Sequence, residues 1–258
     1  ASLTLAGAIY SAVAVICLVL SAVPLLRMSR GNFLLRGHSG SHVLGSCGDL
    51  GWKEVACNAW PFGVGAFAHL IYFQSDIILI KYMVGNEAAG HYNVAFTVIA
   101  AIYLLPSVLY QKFLLPKMHR WAAHDKERFY LVYRKGNLAM LCFGLVAMTG
   151  VWLLGDGFIV LLFGSSYKES SGLLNILAVS APLISVALSA GATLVTNENV
   201  REKVKYMLFV AVLNFLMNVV VIPIWGAEGA ALTTVASNAV LLALYLYGAE
   251  RKVFQKRF

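Results

Sequence analysis

The chain has 258 residues, of which 60% are hydrophobic and 12% are charged, with a formal net charge of +8. A soluble globular protein carries about 25% charged residues. This chain has too few polar side chains to cover a folded core of this size with a surface that faces water. The composition excludes an ordinary soluble domain and indicates an integral membrane protein that is largely surrounded by lipid.

Seven apolar segments are long enough to cross a bilayer, because about 20 helical residues span its hydrocarbon core. We predict an all-α, polytopic bundle of about seven transmembrane helices, at residues 3–26, 55–84, 92–115, 137–163, 173–195, 206–224 and 230–247. Pro61, Pro106 and Pro182 lie inside three of these segments, and we expect kinks there because proline cannot donate the helical hydrogen bond.

The connections between these segments alternate in charge. Residues 85–90, 164–171 and 225–229 carry little positive charge, whereas 17 of the 20 Lys and Arg fall in segments 27–54, 117–135 and 197–205 and in the tail from 251. The positive-inside rule places the basic segments in the cytoplasm and Ala1 outside. Topology thus explains the positive charge, and the sequence contains no phosphate-binding glycine loop, RNA-binding signature or zinc finger that would favour nucleic acid.

The four cysteines, Cys17, Cys47, Cys57 and Cys142, form no CxxC pair. We interpret them as core or free thiols. The alternative is a metal site formed by His38, His42 and Cys47, but the spacing of these residues is generic and their loop is rich in Gly and Ser. We therefore expect no metal.

Asp76 is the most notable charge inside a predicted span, since a charged side chain costs about 2.5–3.5 kcal/mol to insert there. Steps of three and four residues align it with Asn58, Gly65, His69 and Tyr72 on one side of the second helix. This polar stripe predicts a wet cavity in which Asp76 binds a cation or proton or pairs with a basic residue. The alternative is a buried pair near the outer end that fixes helix packing.

Further polar residues lie on other spans. Lys112 is either a phosphate contact in a cavity or a lysine that extends to the cytoplasmic headgroups, and Gln111 continues a polar line that includes Ser107. Asn214 and Asn218 lie one turn apart on the sixth span. They either line a cavity or form hydrogen bonds between helices. The predicted substrate and ion path comprises Asp76, Lys112, His69, Asn58, Gln111, Asn214 and Asn218.

No catalytic constellation emerges, and we predict that the protein is not an enzyme. A membrane polymerase or ligase of lipid-linked sugars, the enzyme alternative, is expected to carry a large outer loop with key arginines, whereas the predicted outer loops are short. A seven-helix receptor or scaffold is a second alternative. A retinal protein is disfavoured because the last span, residues 230–247, lacks the lysine needed for a Schiff base.

Several short stretches resemble the Wzx-type polysaccharide flippases, within the larger group that includes multidrug-and-toxin exporters and lipid II flippases. The stretches are DIIL at 76–79, VGNEAAGHYNVA at 84–95, LP at 105–106 and 115–116, LFGSSY at 162–167, NFLMN at 214–218 and PIWGAEGAA at 223–231. Their order and spacing over residues 52–246 carry the resemblance.

The resemblance implies two six-helix bundles around a central cavity and alternating access. It also implies movement of a polyprenyl-pyrophosphate-linked oligosaccharide across the bacterial cytoplasmic membrane for cell-surface polysaccharide synthesis. The expected partners are membrane lipid, this cargo and polysaccharide polymerase or assembly proteins, without nucleic acid. No cofactor is expected beyond a coupling H⁺ or Na⁺. A drug or cation antiporter of the same fold is the nearest alternative.

The resemblance covers only what would be the second bundle of that architecture, together with one preceding helix. We predict that residues 1–26 are a transmembrane helix at the end of a missing first bundle and that residues 27–54 are a basic cytoplasmic linker. Residues 55–250 would form the six-helix bundle, and residues 251–258 a basic cytoplasmic tail.

Overall fold

A computed structural model describes residues 3–29, 52–196 and 199–254, and all regular structure in these ranges is helical. The α-helices of the described ranges are α1 (Leu3–Ser29), α2 (Trp52–Met83), α3 (Asn86–Val108), α4 (Leu115–His124), α5 (Lys126–Phe163), α6 (Ser170–Ala178), α7 (Ser180–Thr196) and α8 (Val200–Gly248). Two π-helical segments, Leu109–Leu114 and Ala249–Phe254, continue α3 and α8, and a 3₁₀ turn covers Ser165–Tyr167. The predicted all-α membrane bundle is confirmed.

Contacts within the chain divide it into two units, Ala1–Val55 and Ala56–Phe258. Helix α1 belongs to the first unit, and its apolar stretch Ser11–Pro24 contains the free thiol of Cys17. Most of the predicted linker, with His38, His42 and Cys47, lies outside the described residues. The predicted division into helix, linker, bundle and tail stays a prediction.

Helix α8 contains two of the predicted spans. Gly226 adopts φ 57° and ψ −141°, which is not helical and is a conformation that glycine tolerates because it has no Cβ. The chain reverses at this residue, since Thr233 beyond it donates a hydrogen bond to the Oδ1 of Asn218 before it. We refer to the part of α8 before Gly226 as α8N and to the part after it as α8C.

The described helices that are long and apolar enough to cross a membrane number four, or five if α6 and α7 form one bent span. The sequence predicted seven. The continuous helical run Val200–Phe254 has 55 residues, far more than one crossing needs, and it contains the sixth and seventh predicted spans on either side of Gly226. Helix α1 (Leu3–Ser29) has 27 residues, and its apolar stretch Ser11–Pro24 is not counted among the four.

The predicted kink in the fifth span is a full break. Helices α6 and α7 meet at an angle of 43°, with the break at Val179, three residues before Pro182. Proline has no N–H to donate to the carbonyl of Ala178, so the helix is weakest at this point. The hydroxyl of Ser180 donates to the carbonyl of Leu177 at 2.5 Å and stabilises the bend.

The packing is that of a protein in lipid. Small residues line the closest helix contacts: a Cβ on Gly144 of α5 would lie only 2.2 Å from the Cα of Pro182 in α7, an approach that only glycine permits. Large apolar side chains cover the outside, with Leu153 and Leu161 both 82% exposed. Such a surface is unfavourable in water and favourable in hydrocarbon, so the chain is a multi-pass membrane protein.

Candidate functional site

A buried carboxylate lies at the centre of the polar residues in the bundle. Asp76 of α2 is 2% exposed. Its Oδ2 accepts hydrogen bonds from the hydroxyls of Tyr92 (2.8 Å) and Thr234 (2.5 Å), and its Oδ1 accepts one from Asn218 Nδ2 (2.6 Å). We call the following residues the Asp76 cluster: Ser75, Asp76, Tyr92, Asn214, Asn218, Thr233 and Thr234.

The Asp76 cluster joins four helical segments. Asp76 lies seven residues before the end of α2, and Tyr92 lies six residues after the start of α3. Asn218 and Thr234 each lie eight residues from Gly226, in α8N and α8C. The four segments therefore meet at one depth, about two helical turns below the turns at Gly85 and Gly226.

Neutral hydrogen-bond donors surround the carboxyl group of Asp76. The sequence left open a basic partner for this residue, but in the described part of the chain no Lys, Arg or His forms an ion pair with it. A buried carboxylate is costly unless its lone pairs are satisfied, and here two hydroxyls and an amide satisfy them, with Ser75 Oγ at 3.4 Å as a weaker fourth donor. The hypothesis of a packing ion pair is thus replaced by a hydrogen-bonded carboxylate.

Two buried polar atoms near the cluster have no hydrogen-bond partner among the described residues: Asn214 Nδ2 and Ser237 Oγ. Asn214 uses only its Oδ1, which accepts from Asn218 Nδ2 at 3.2 Å. An unsatisfied buried group costs about 1–3 kcal/mol. This part of α8 therefore retains hydrogen-bonding capacity that its packing does not use.

A cavity of about 360 Å³, partly open to the outside of the bundle, lies between α2, α3, α7 and α8, and we call it the internal cavity. Its volume falls in the range of small-molecule sites. Aromatic rings form much of its wall. Its polar groups come from His69, Tyr72, Tyr103, Ser107, Tyr110, Lys203 and Tyr245.

Tyr72 connects the internal cavity to the Asp76 cluster. Its ring lines the cavity, and its hydroxyl donates to Asn238 Oδ1 at 2.6 Å. A separate void of about 10 Å³ lies beside it, bounded by Tyr72 and Tyr103 on one side and by Thr234 and Asn238 on another. One water molecule occupies about this much space, so only a water-sized gap and hydroxyl groups separate the cavity from the hydrogen-bond partners of Asp76.

Comparison with known proteins finds similarity to membrane proteins of polysaccharide biosynthesis. Residues 2–121 match the family described as polysaccharide biosynthesis protein. The chain is 26% identical over 187 residues to a probable low-salt glycan biosynthesis flippase of Haloferax volcanii, covering 71% of this chain and 39% of that protein. It is 27% identical over 173 residues to a capsular polysaccharide biosynthesis protein of Staphylococcus aureus, covering 66% of this chain and 43% of that protein.

The chain resembles the Wzx-type polysaccharide flippases. The resemblance predicted from the sequence is thereby confirmed. The matched regions span about two fifths of the length of these curated relatives. No solved structure shows a significant match to the chain.

The structure brings together three of the predicted path residues. Asp76, Asn214 and Asn218 lie in the Asp76 cluster. His69 does not join them: it lies in the wall of the internal cavity, stacked on Phe73 with ring centroids 4.3 Å apart. The predicted stripe along α2 therefore divides between two sites.

Lys112 lies apart from both sites. It is exposed, within the π-helical segment Leu109–Leu114, and is not among the residues that line the internal cavity. Tyr110 of the same segment points inward instead, and its hydroxyl accepts from Ser189 at 2.8 Å. The side chains of Asn58 and Gln111 lie outside the described residues.

Sequence reasoning missed several residues of these sites. Tyr92 is fully buried and donates to Asp76, but a tyrosine in an apolar helix carries no signal of its own. Lys203 and Tyr245 line the cavity. Lys203 was counted with a basic loop, although its position one turn inside α8 is a signal that could have identified it. In the described part of the chain, no group of three or more His, Cys, Asp and Glu could hold a metal ion.

Proposed function

We propose that the protein is part of a flippase that moves a lipid-linked oligosaccharide across the cytoplasmic membrane. The observation that carries this proposal is a cavity with several polar groups in a largely aromatic wall, beside the buried Asp76 cluster, within a bundle whose outer surface is apolar. A cargo with polar sugars and an apolar tail requires such a division, because sugars cannot enter hydrocarbon without hydrogen-bonding partners. The names of the curated relatives support the same assignment.

In the proposed transport cycle, the Asp76 cluster holds the surrounding helices in either of two packing arrangements. The carboxylate connects α2 and α3 to both halves of α8, so a change in its charge alters the contacts of all four segments at once. Small changes at such a centre can bias the packing of helices between two states. Alternating access would follow if one arrangement opens the cavity to each side of the membrane.

A proton fits the Asp76 cluster better than a sodium ion as the coupling cation. Tyr92, Thr234 and Asn218 all direct donors at the carboxylate, whereas a bound Na⁺ needs oxygen atoms turned toward it. Protonation requires only that one hydroxyl turn: Thr234 can donate to the carbonyl of Ala230, 2.9 Å away, and accept from the new O–H of Asp76. The water-sized void between Thr234 and the cavity wall offers a short route for the proton.

The proposed orientation follows the distribution of basic residues. It places the turns at Gly85, Gly164 and Gly226 outside and the segment Leu115–His124 in the cytoplasm. The Asp76 cluster then lies toward the outer face, and the Lys203 end of the cavity toward the cytoplasm. A polysaccharide polymerase or assembly protein would receive the cargo at the outer face.

A drug or cation antiporter is the second candidate, because a buried titratable carboxylate serves cation coupling in either function. The test is complementation: the full-length protein is expressed in a cell that lacks its own glycan flippase, and surface polysaccharide is measured. We expect surface polysaccharide to return, with no gain in drug resistance. Drug efflux without polysaccharide rescue would favour the antiporter. The absence of both drug efflux and polysaccharide rescue would favour a receptor or scaffold.

A further inference from the structure

Helix α4 lies at the edge of the membrane. It ends a continuous helical run, Asn86–His124, of 39 residues, whereas the hydrocarbon core needs only about 20. Its last residues therefore extend past the hydrocarbon into the zone of the lipid headgroups. Helix α5 begins in the same zone at Lys126, after Asp125, whose side chain accepts a hydrogen bond from the backbone N–H of Arg128 at 2.9 Å.

The segment Ala249–Phe254 packs against this end of α5. The ring centroid of Phe254 lies 5.4 Å from that of Phe129 and 4.9 Å from that of Tyr133. Phe129 is buried in one apolar cluster with Met118 of α4, and Phe254 packs on that cluster. The packing thus joins α4, the first turns of α5 and the Ala249–Phe254 segment at one end of the bundle.

Exposed cations surround this apolar cluster. In each of the three segments, an exposed Lys or Arg immediately precedes a residue of the cluster. We call the following exposed residues the basic surface: Lys117, Arg120, Lys126, Arg128, Arg251 and Lys252. Residues 117–128 and 249–254 carry three Asp and Glu against these six Lys and Arg, so the surface has a net positive charge at neutral pH.

An aromatic ring orients one of these cations. The guanidinium carbon of Arg128 in α5 lies 5.1 Å from the centroid of the Trp121 ring in α4. An arginine that stacks on a ring keeps its N–H donors available, and its planar group binds phosphate oxygens in pairs. Tryptophan is enriched where membrane and water meet. The contact therefore holds a phosphate-binding group at the level of the headgroups.

Exposed apolar side chains adjoin the basic surface. Leu131 is 50% exposed and lies three residues after Arg128, on the same side of α5. Phe113 is 64% exposed and lies four residues before Lys117. A soluble anion would leave these side chains uncovered, whereas a lipid covers them with its acyl chains and places its phosphate beside the cations. The combination fits an anionic lipid better than a soluble phosphate or an acidic peptide.

We propose that the basic surface is a binding site for the phosphodiester headgroup of an anionic phospholipid, such as phosphatidylglycerol, in the leaflet beside α4. Arg128 contacts the headgroup directly, and the other cations of the surface attract it. This lipid is not the cargo, because the site lies on the outside of the bundle. The proposal stands whether or not the protein moves oligosaccharide.

The test measures binding of short-chain phosphatidylglycerol to the purified full-length protein in neutral detergent, by isothermal titration calorimetry. Short-chain phosphatidylcholine, which has no net charge, and glycerophosphoglycerol, which has no acyl chains, are the comparison probes. We expect phosphatidylglycerol to bind more tightly than both and to lose affinity as salt is raised, because salt screens exposed charges. Equal binding of phosphatidylcholine would overturn the role of charge, and equal binding of glycerophosphoglycerol would overturn the assignment to a lipid.

A double variant locates the site. Lys117→Gln with Lys252→Gln removes one cation from each of two packed segments, and we expect it to weaken phosphatidylglycerol binding about tenfold or more. The matched control, Lys81→Gln with Lys168→Gln, removes two exposed cations at the other end of the bundle and should leave the affinity unchanged. Equal affinity of the Lys117 and Lys252 double variant and the unmodified protein, or an equal loss in the control, would contradict the proposal.

Thermal unfolding in detergent separates a loss of binding from a loss of fold. The substituted side chains are exposed, so the melting temperature without lipid should not change. Phosphatidylglycerol should raise the melting temperature of the unmodified protein and not that of the Lys117 and Lys252 double variant, and an equal rise in both would overturn the site. If that variant is unstable, Arg120→Gln with Lys126→Gln tests the same surface with the same expected loss.

Discussion

Asn218 Nδ2 lies 2.6 Å from Asp76 Oδ1, although the two residues are 142 positions apart in the chain. The same amide nitrogen also donates to Asn214 Oδ1, and the amide oxygen of Asn218 accepts from Thr233. A single buried asparagine therefore connects the carboxylate of α2 to both halves of α8. Our first prediction concerns the charge at the centre of this arrangement.

Asp76→Asn should abolish polysaccharide rescue while leaving the bundle folded. An asparagine has nearly the same shape and can still accept hydrogen bonds, but it cannot take up or release a proton. Complementation measures the function, and thermal unfolding in detergent measures the fold. Glu87→Gln, which neutralises an exposed carboxylate in the first turn of α3, is the control and should keep full rescue. Full rescue by Asp76→Asn would exclude Asp76 as the coupling group.

Tyr72→Phe should weaken both stability and transport. It removes the hydroxyl that donates to Asn238 Oδ1 at 2.6 Å and leaves that buried oxygen without this donor, at a cost of about 1–3 kcal/mol. Denaturant unfolding in detergent checks the stability. Tyr82→Phe provides the comparison, because Tyr82 is 81% exposed, and equal losses for the two variants would show that the Tyr72–Asn238 contact is not important.

Gly144→Ala should destabilise the bundle by about 1–3 kcal/mol, the usual range for overpacking. The added Cβ would lie 2.2 Å from Cα of Pro182, and since this neighbour is backbone rather than a flexible side chain, α5 and α7 must separate. Gly150→Ala on the same helix meets nothing within 4 Å and should be neutral. The melting temperature in detergent is the measurement, and an unchanged value for Gly144→Ala would contradict the described α5–α7 contact.

The proposed orientation predicts the accessibility of introduced thiols. In a protein whose four native cysteines are replaced by serine, Glu87→Cys should react with a membrane-impermeant maleimide in intact cells. Lys126→Cys, at the start of α5, should react only after the membrane is permeabilised. Both positions are exposed, so burial cannot account for a difference. The opposite pattern would invert the topology.

Much of the fold was predictable because the bilayer imposes a strong constraint. Apolar runs of about 20 residues identify spans, and polar residues inside them, such as Asp76, Asn214 and Asn218, stand out against that background. The break at Val179 was predictable in position from Pro182, but its angle was not, because the angle depends on the neighbouring helices and on the hydrogen bond of Ser180.

Other features could not be read from spacing along one helix. Residues three and four apart share a side of a helix, and this rule grouped His69 with Asp76, but the two side chains face different sites because the packing of α3, α7 and α8 divides that side of α2. Spacing also left the position of Lys112 open; it is exposed, whereas Tyr110 faces inward, because the π-helical segment changes the direction of side chains within a single turn.

By itself, the sequence determined that this protein lies in lipid, that it is built from helices and that Asp76 requires polar neighbours, because transfer free energies depend on residue type alone. Only the tertiary structure decided which donors satisfy that carboxylate and that Lys203 faces a cavity. The contacts of Asn218 and Thr234 with Asp76 join residues more than a hundred positions apart, and the approach of whole helices determines them.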